Sequence, residues 1–253
     1  MDRGLWITWH DLPADGRDAY LSWLHGTYIP KVLARPGVLW AAHYASEEKE
    51  TVVLSGEKGR LKHVESGVVP AGDRFILLFG GEEAPVFADP TPAAFHAELP
   101  EKGKRMLAMR IGERANIMVE ESKVMGPAAR KPEPDLALSP GIQLGSFNAG
   151  SYEDEDELAA WYAQWRLPCM EKLPGCVRVR KLVSVSGWAK HGILYEFTSV
   201  AARNQHFVHH ESSNPEMAAW TDRVVRKLVH APGSPSLAHR IWPPIHRRHE
   251  QPL

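Results

Sequence analysis

Residues 23–37 of this 253-residue chain, WLHGTYIPKVLARPG, return at a constant spacing of 138 positions as WYAQWRLPCMEKLPG, residues 161–175. Trp23 matches Trp161, Pro30 matches Pro168, and Pro36-Gly37 matches Pro174-Gly175. Identities that keep one offset and one element order point to an internal duplication, which ties both halves to a single folding plan. Upstream, Gly4-Leu5-Trp6-Ile7-Thr8-Trp9 parallels residues 141–147 after a one-residue slip. Downstream, Phe75-Ile76-Leu77-Leu78-Phe79 parallels Ile193-Leu194-Tyr195-Glu196-Phe197, after a longer insertion in the first half.

Each half parses as βαββαβ. Residues 4–10 alternate like a strand. Tyr20, Trp23, Leu24 and Tyr28 form the stripe of a helix over 16–30, capped by Asp15 or Asp11 and ended by Pro30. Pro36-Gly37 then turns the chain into a strand at 38–44. The polar stretch 45–73 reads as a flap, followed by a strand at 74–80, helix from Pro92 and again over 103–110, and a strand at 114–124. Residues 126–140 are rich in proline and charge and read as a linker. The second half gives strand 141–148, helix 153–167, strands near 175–185 and 190–198, helix 215–230, strand 236–242 and a basic tail. Two ferredoxin-like units, 1–125 and 141–253, each leave one sheet face bare. Packing those faces together makes an α+β barrel within one chain.

Composition narrows the functional classes. Lys plus Arg is 30 against 31 Asp plus Glu, so no bulk field gathers nucleic acid or an anionic membrane. No run approaches the roughly 18 apolar residues of a spanning helix. The opening Met1–Gly4 leads into a strand-like run, not a basic-then-apolar leader. With only 2 cysteines, Cys169 and Cys176, in no metal or redox spacing, a reducing, cytoplasmic setting is expected. The 9 Trp and 13 His supply aromatic walls and acid–base capacity.

The strand, the helix with Trp23, His25 and Pro30, and the Pro-Gly entry to the next strand together resemble the dimeric α+β barrel superfamily. The EthD-like and stress-response-like branches are the most similar, and the resemblance spans roughly 4–125 and 141–243. It implies a pocket between sheet and helices for a small, often aromatic or polyketide-like molecule, and sheet-mediated homodimers. It also implies a choice among cofactor-free cyclases, isomerases, lyases and oxygenases, with a haem-binding tandem subgroup as the alternative. The second half has Ala163 at the position of His25 and Arg166 at that of Tyr28, so the halves cannot carry identical sites.

The leading expectation is a cofactor-independent enzyme of lyase, isomerase or cyclase type. His25, His43, His209 and His210 are its candidate proton carriers, because imidazole titrates near neutral pH. His209 and His210 are favoured through the resemblance, since stress-response-like members carry a functional histidine after the third strand. Trp9, Tyr20, Trp23 and Tyr28 are candidate walls, although their helical spacing also suits a plain core. Strand alternation sets Leu5, Ile7 and Trp9 toward the helices, with Trp9 at the pocket end and His10 toward the barrel interior or rim. The same argument turns His43 toward the helices. Arg178 and Arg180 point into the barrel, either to clamp a carboxylated substrate or to pair with Glu196 and Glu120. His206, with His209 or His210 and Glu211, can alternatively hold a single divalent metal, and haem or a non-catalytic ligand-binding role are the other readings.

Overall fold

The computed structural model describes residues 2–48, 60–129, 138–208 and 210–244. The chain begins with β1 (Gly4–Asp11), then α1 (Arg17–Trp23) and α2 (Ile29–Leu33), joined without a break by a π-turn at Leu24–Tyr28. Next come β2 (Val38–Ser46), β3 (Lys62–His63), β4 (Phe75–Gly81), α3 (Pro92–Ala97), α4 (Glu101–Leu107) and β5 (Ile111–Met125). The second half continues with β6 (Gly141–Asn148), then α5 (Asp154–Trp161) and α6 (Leu167–Met170), joined by a π-turn at Tyr162–Arg166. It ends with β7 (Cys176–Ser186), β8 (His191–Phe197), α7 (Val200–His206), α8 (Pro215–Val225), β9 (Val229–His230) and β10 (Ser236–Trp242). Among the described residues, no helix is long and apolar enough to cross a membrane.

Eight strands close an antiparallel barrel in the order β10-β2-β4-β1-β5-β7-β8-β6, and β6 pairs back onto β10. The two seams between halves are β5–β7 and β10–β2, so the last strand of each half adds to the sheet of the other. Closure removes exposed sheet edges and leaves one interior and one outer, helix-covered surface. The interior is filled by Leu5, Ile7, Trp9, Tyr44, Ile76, Leu78, Ile142, Leu144, Leu182 and Leu194 from both halves. Outside, Trp6, Tyr20, Trp23, Tyr28, Phe79 and Phe87 pack under the first-half helices. Phe147, Trp161, Tyr162, Tyr195, Phe197 and Phe207 do so in the second half.

This arrangement reverses the expected facing of the first strand. Leu5, Ile7 and Trp9 line the dry barrel interior, whereas Trp6 belongs to the helix-side core and the His10 ring lies against Tyr20 of α1. The aliphatic face goes where all eight strands exclude water together, not under the helices, which tolerate polar groups along their edges. Trp9 is therefore no pocket wall; its ring is capped by the Arg114 guanidinium at 4.7 Å. Ala41 and His43 do face the helices.

The interior arginines are claimed by the chain itself. Arg178 donates to Glu196 at 2.6 Å, and the fully buried Arg180 donates to Glu120 at 2.7 Å and to Asp2 at 3.0 Å. Because Glu120 sits on β5 and Arg180 on β7, this pair ties the halves together across a seam. Burying a guanidinium is tolerable only with such partners. The reading of Arg178 and Arg180 as a substrate clamp is corrected accordingly.

Pro30 and Pro168 are expected to end their helices because they lack N–H groups, and they do not. In each half the π-turn comes just before the proline, and the helix resumes through it. Widening the turn moves the carbonyl that the ring would otherwise strike. Gly16 caps α1, with no side-chain cap. Asp11 instead accepts the backbone N–H groups of Asp73 and Arg74, both at 2.8 Å. Gly37 and Gly175 have φ of 79° and 77°, the left-handed turn each Pro-Gly pair requires before β2 and β7. Helix α7 and strands β3 and β9 lack a periodic signal long enough to read, and α8 stops at Val225. Part of the expected flap (49–59), most of the linker (130–137), His209 and the end of the basic tail lie outside the described residues.

Candidate functional site

The first-half helices cover a polar cluster buried among aromatic rings. The π-turn supplies His25 and Tyr28, α1 supplies Tyr20, and β1 and β2 supply His10 and His43. Arg110 reaches in from the turn between α4 and β5, and His96 from α3. Arg110 Nε donates to the Tyr20 hydroxyl at 2.6 Å, and Arg110 Nη1 donates to Glu113 at 2.6 Å. The Tyr20 oxygen lies 3.4 Å from His10 Nε2. His43 Nδ1 and His25 Nε2 are 2.9 Å apart, and the Tyr28 oxygen is 2.7 Å from His96 Nε2. The His10 and His43 rings stack nearly parallel, with centroids 6.1 Å apart.

Electrostatics hold these imidazoles neutral. Burial, and then the Arg110 charge, push His10 well below its ordinary pKa. Burial, His25 and Arg110 do the same to His43. His96 is lowered to about 4 by burial and Arg110, and half-buried His25 is lowered by burial. Arg110 keeps its charge: burial opposes it, but the oxygens of Tyr20 and Tyr28 and the Glu113 carboxylate outweigh that cost and raise its pKa. The result is one fixed cation among neutral proton acceptors, the setting in which imidazole works as a base.

Three polar atoms of this cluster have no partner among the described residues: His10 Nδ1, His43 Nε2 and Arg110 Nη2. With Tyr20 donating to His10 Nε2, the Nδ1 of His10 carries the hydrogen and is an unanswered donor. In the tautomer with His43 Nδ1 donating to His25, the Nε2 of His43 is a bare lone pair; in the other tautomer it carries the hydrogen. Leaving one buried polar atom unmatched costs about 1–3 kcal/mol, and this cluster holds three of them.

In the second half the buried Arg166 is answered by several groups. Arg166, at the position of Tyr28, donates to Tyr195 at 2.9 Å, to Glu211 at 2.5 Å and to His210 Nε2 at 2.7 Å. Glu211 also meets Arg60 at 3.5 Å. His210 Nδ1 is bonded to the Phe207 carbonyl at 2.5 Å. Burial and the Arg166 charge lower His210 to about 4. Next to this network lies an open cleft of about 640 Å³, lined by Trp165, Pro168, Cys169, Lys172, His206, His210 and Asn214, among others.

The expected site residues thus separate. His25, His43, Tyr20 and Tyr28 come together around Arg110, and Trp23 is a core ring packed at a tilt between Tyr20 and Tyr28. His206 and His210 border the cleft of the other half, and His209 lies outside the described residues. Sequence reasoning missed Arg110, His96 and Glu113, which have no motif or spacing that marks them, and it misplaced His10. Arg166 was visible as a departure between the repeated segments, but its partner Tyr195, and the Arg60 that shares Glu211 with it, were not.

Among the described residues no three His, Cys, Asp or Glu side chains are grouped to hold a metal ion. Of these histidines, His210 has both ring nitrogens engaged, whereas His43 Nε2 and His10 Nδ1 have no partner among the described residues.

No family model matches the chain, and no curated protein matches it. Solved structures do. An anthrone oxidase-like protein aligns over 95% of this chain and 92% of its own, at 8% identity and a TM-score of 0.61. A protein described as a monooxygenase, from Fusobacterium nucleatum subsp. nucleatum, aligns over 94% and 92% at 9% identity and a TM-score of 0.55. A DyP-type peroxidase from Mycobacterium smegmatis aligns over 95% and 93% at 9% identity and a TM-score of 0.51. The fold is that of the dimeric α+β barrels.

Proposed function

We propose that this protein is a small-molecule enzyme that takes a proton from an acidic C–H group, with its site in the first-half cluster of His10, His43 and Arg110. The observation that carries the reading is the set of three buried atoms without a partner among the described residues, His10 Nδ1, Arg110 Nη2 and His43 Nε2; with His10 protonated on Nδ1 and His43 on Nδ1 they are two donors and one lone pair. A flat ketone or phenol-like carbon acid answers all three. In the step, the substrate C–H bond breaks and its proton goes to His43 Nε2. The electron pair moves onto the carbonyl oxygen, and that oxyanion is met by Arg110 Nη2 and His10 Nδ1–H. The aromatic rings under the helices suit a planar substrate.

This first step serves lyase, isomerase and cyclase chemistry alike, and the name of the anthrone oxidase-like structure supports a carbon acid of the anthrone type. We also infer that the chain is two copies of one module, 1–125 and 141–253, joined by 126–140. The paired π-turns, the paired Pro-Gly turns and the matching strand orders support that origin. Homodimers, as other dimeric α+β barrels form, belong to the same proposal.

The test is deuterium uptake at carbon. Anthrone, 2-tetralone and a β-diketone are incubated with the protein in D2O and followed by mass spectrometry. Exchange well above a buffer blank, lost on His43→Ala, supports the reading. No exchange with any of these carbon acids, together with a Soret band that shifts on haem titration, would move the assignment to a haem protein.

A further inference from the structure

We infer a second ligand site, for a small planar aromatic carboxylate, in the cleft between α6 and α7 of the second half. At about 640 Å³ the cleft has the size of a small-molecule site. Its walls are flat and stiff. Trp165 and Trp161 both donate their indole N–H to Thr221 Oγ1, at 3.2 and 3.1 Å, which fixes the Trp165 ring. Pro168 and Pro174 form other parts of the wall.

Its polar groups are donors. Asn214 spends its side-chain oxygen on the N–H of Met217, capping α8, so its amide hydrogens remain for a ligand. No carboxylate among the described residues pairs with Lys172. His206 makes no hydrogen bond among the described residues. Among the described residues no Asp or Glu lines the cleft, and the nearby Glu211 is held by Arg166 and Arg60. The cleft therefore offers one uncompensated ammonium, neutral donors and aromatic or proline surfaces. That chemistry selects a flat monoanion: the ring lies on Trp165 and the carboxylate bonds to Lys172 and Asn214.

This site is distinct from the proposed catalytic cluster and stands without it. The first half has Thr27 and Ala34 where Trp165 and Lys172 stand, so it lacks both the ring and the ammonium.

The probe is 2-naphthoate, followed by tryptophan fluorescence and by iodoacetamide labelling of Cys169. Cys169 is half-buried at the cleft, whereas Cys176 is fully buried. Saturable binding that slows Cys169 labelling is expected. Lys172→Ala should weaken it about tenfold and Lys172→Arg should largely restore it. The neutral 2-naphthamide and the non-aromatic cyclohexanecarboxylate should bind at least as weakly as 2-naphthoate binds Lys172→Ala. Equal binding of the amide, unchanged binding in Lys172→Ala, or binding that leaves Cys169 labelling unaltered each overturns the site. Lys172 lies outside the core, so its variants report binding, not folding.

Discussion

The two helix-side cores are built on one plan and finished differently. In the first half, Tyr20, Tyr28 and three histidines surround Arg110, and three buried polar atoms are left over. In the second, Arg166 stands where Tyr28 stood, and a carboxylate, a tyrosine and a histidine satisfy it. A buried cation with all its partners stabilises a fold. A buried cation beside unmatched donors and a bare imidazole nitrogen is arranged to meet charge that forms during a reaction. Under the proposed function, the difference teaches that one scaffold separates the two uses, with chemistry in one half and structural support in the other.

The comparison is broken or sharpened by substitution. The largest effect is expected from His43→Ala, which should lower carbon-acid exchange by about 100-fold or more while circular dichroism stays native. Full exchange in that variant would remove the base. Next, Glu211→Ala should lower stability by about 3–5 kcal/mol, read from urea midpoints, because it strands the Arg166 charge. A near-neutral result would mean that the second-half network is not the support described.

Acid should act through the same neutral imidazoles. His210 and His230 are lowered to about 4, chiefly by burial, from an ordinary 6.5. Between those values the unfolded chain binds protons that the folded chain does not. Stability is therefore full above pH 6.5 and falls as the pH drops toward 4, by at most about 1.4 kcal/mol per pH unit for each such histidine. His210→Phe should flatten that limb in a pH series of urea melts, and an unchanged slope would contradict the assignment. The smallest effect is expected at His25. His25→Gln should slow exchange by roughly tenfold, because the proton taken by His43 then loses its bonded route toward solvent.

Much of the fold was legible because its signals are local and repeated. The Trp-Pro-Pro-Gly spacing that recurs in the sequence and the strand alternation mark where elements start and turn. What alternation cannot tell is which face goes inward: Leu5, Ile7 and Trp9 look the same under a helix or inside a closed barrel, and only closure decides. The site was half legible for a related reason. His25 and His43 announce themselves as histidines on a helix and a strand. Arg110 is one arginine among many in the sequence, and its role comes from a turn that carries it about 90 residues back to Tyr20. The prolines misled because a π-turn is invisible in side-chain spacing.

The most direct measurement is NMR of the protein with isotope-labelled histidine rings, titrated with anthrone under anaerobic conditions. The account predicts that the ring nitrogens of His10 and His43 shift on binding while those of His210, already bonded on both sides, stay in place. Shifts confined to His206 and His210, or His10 and His43 resonances indifferent to the ligand, would contradict it.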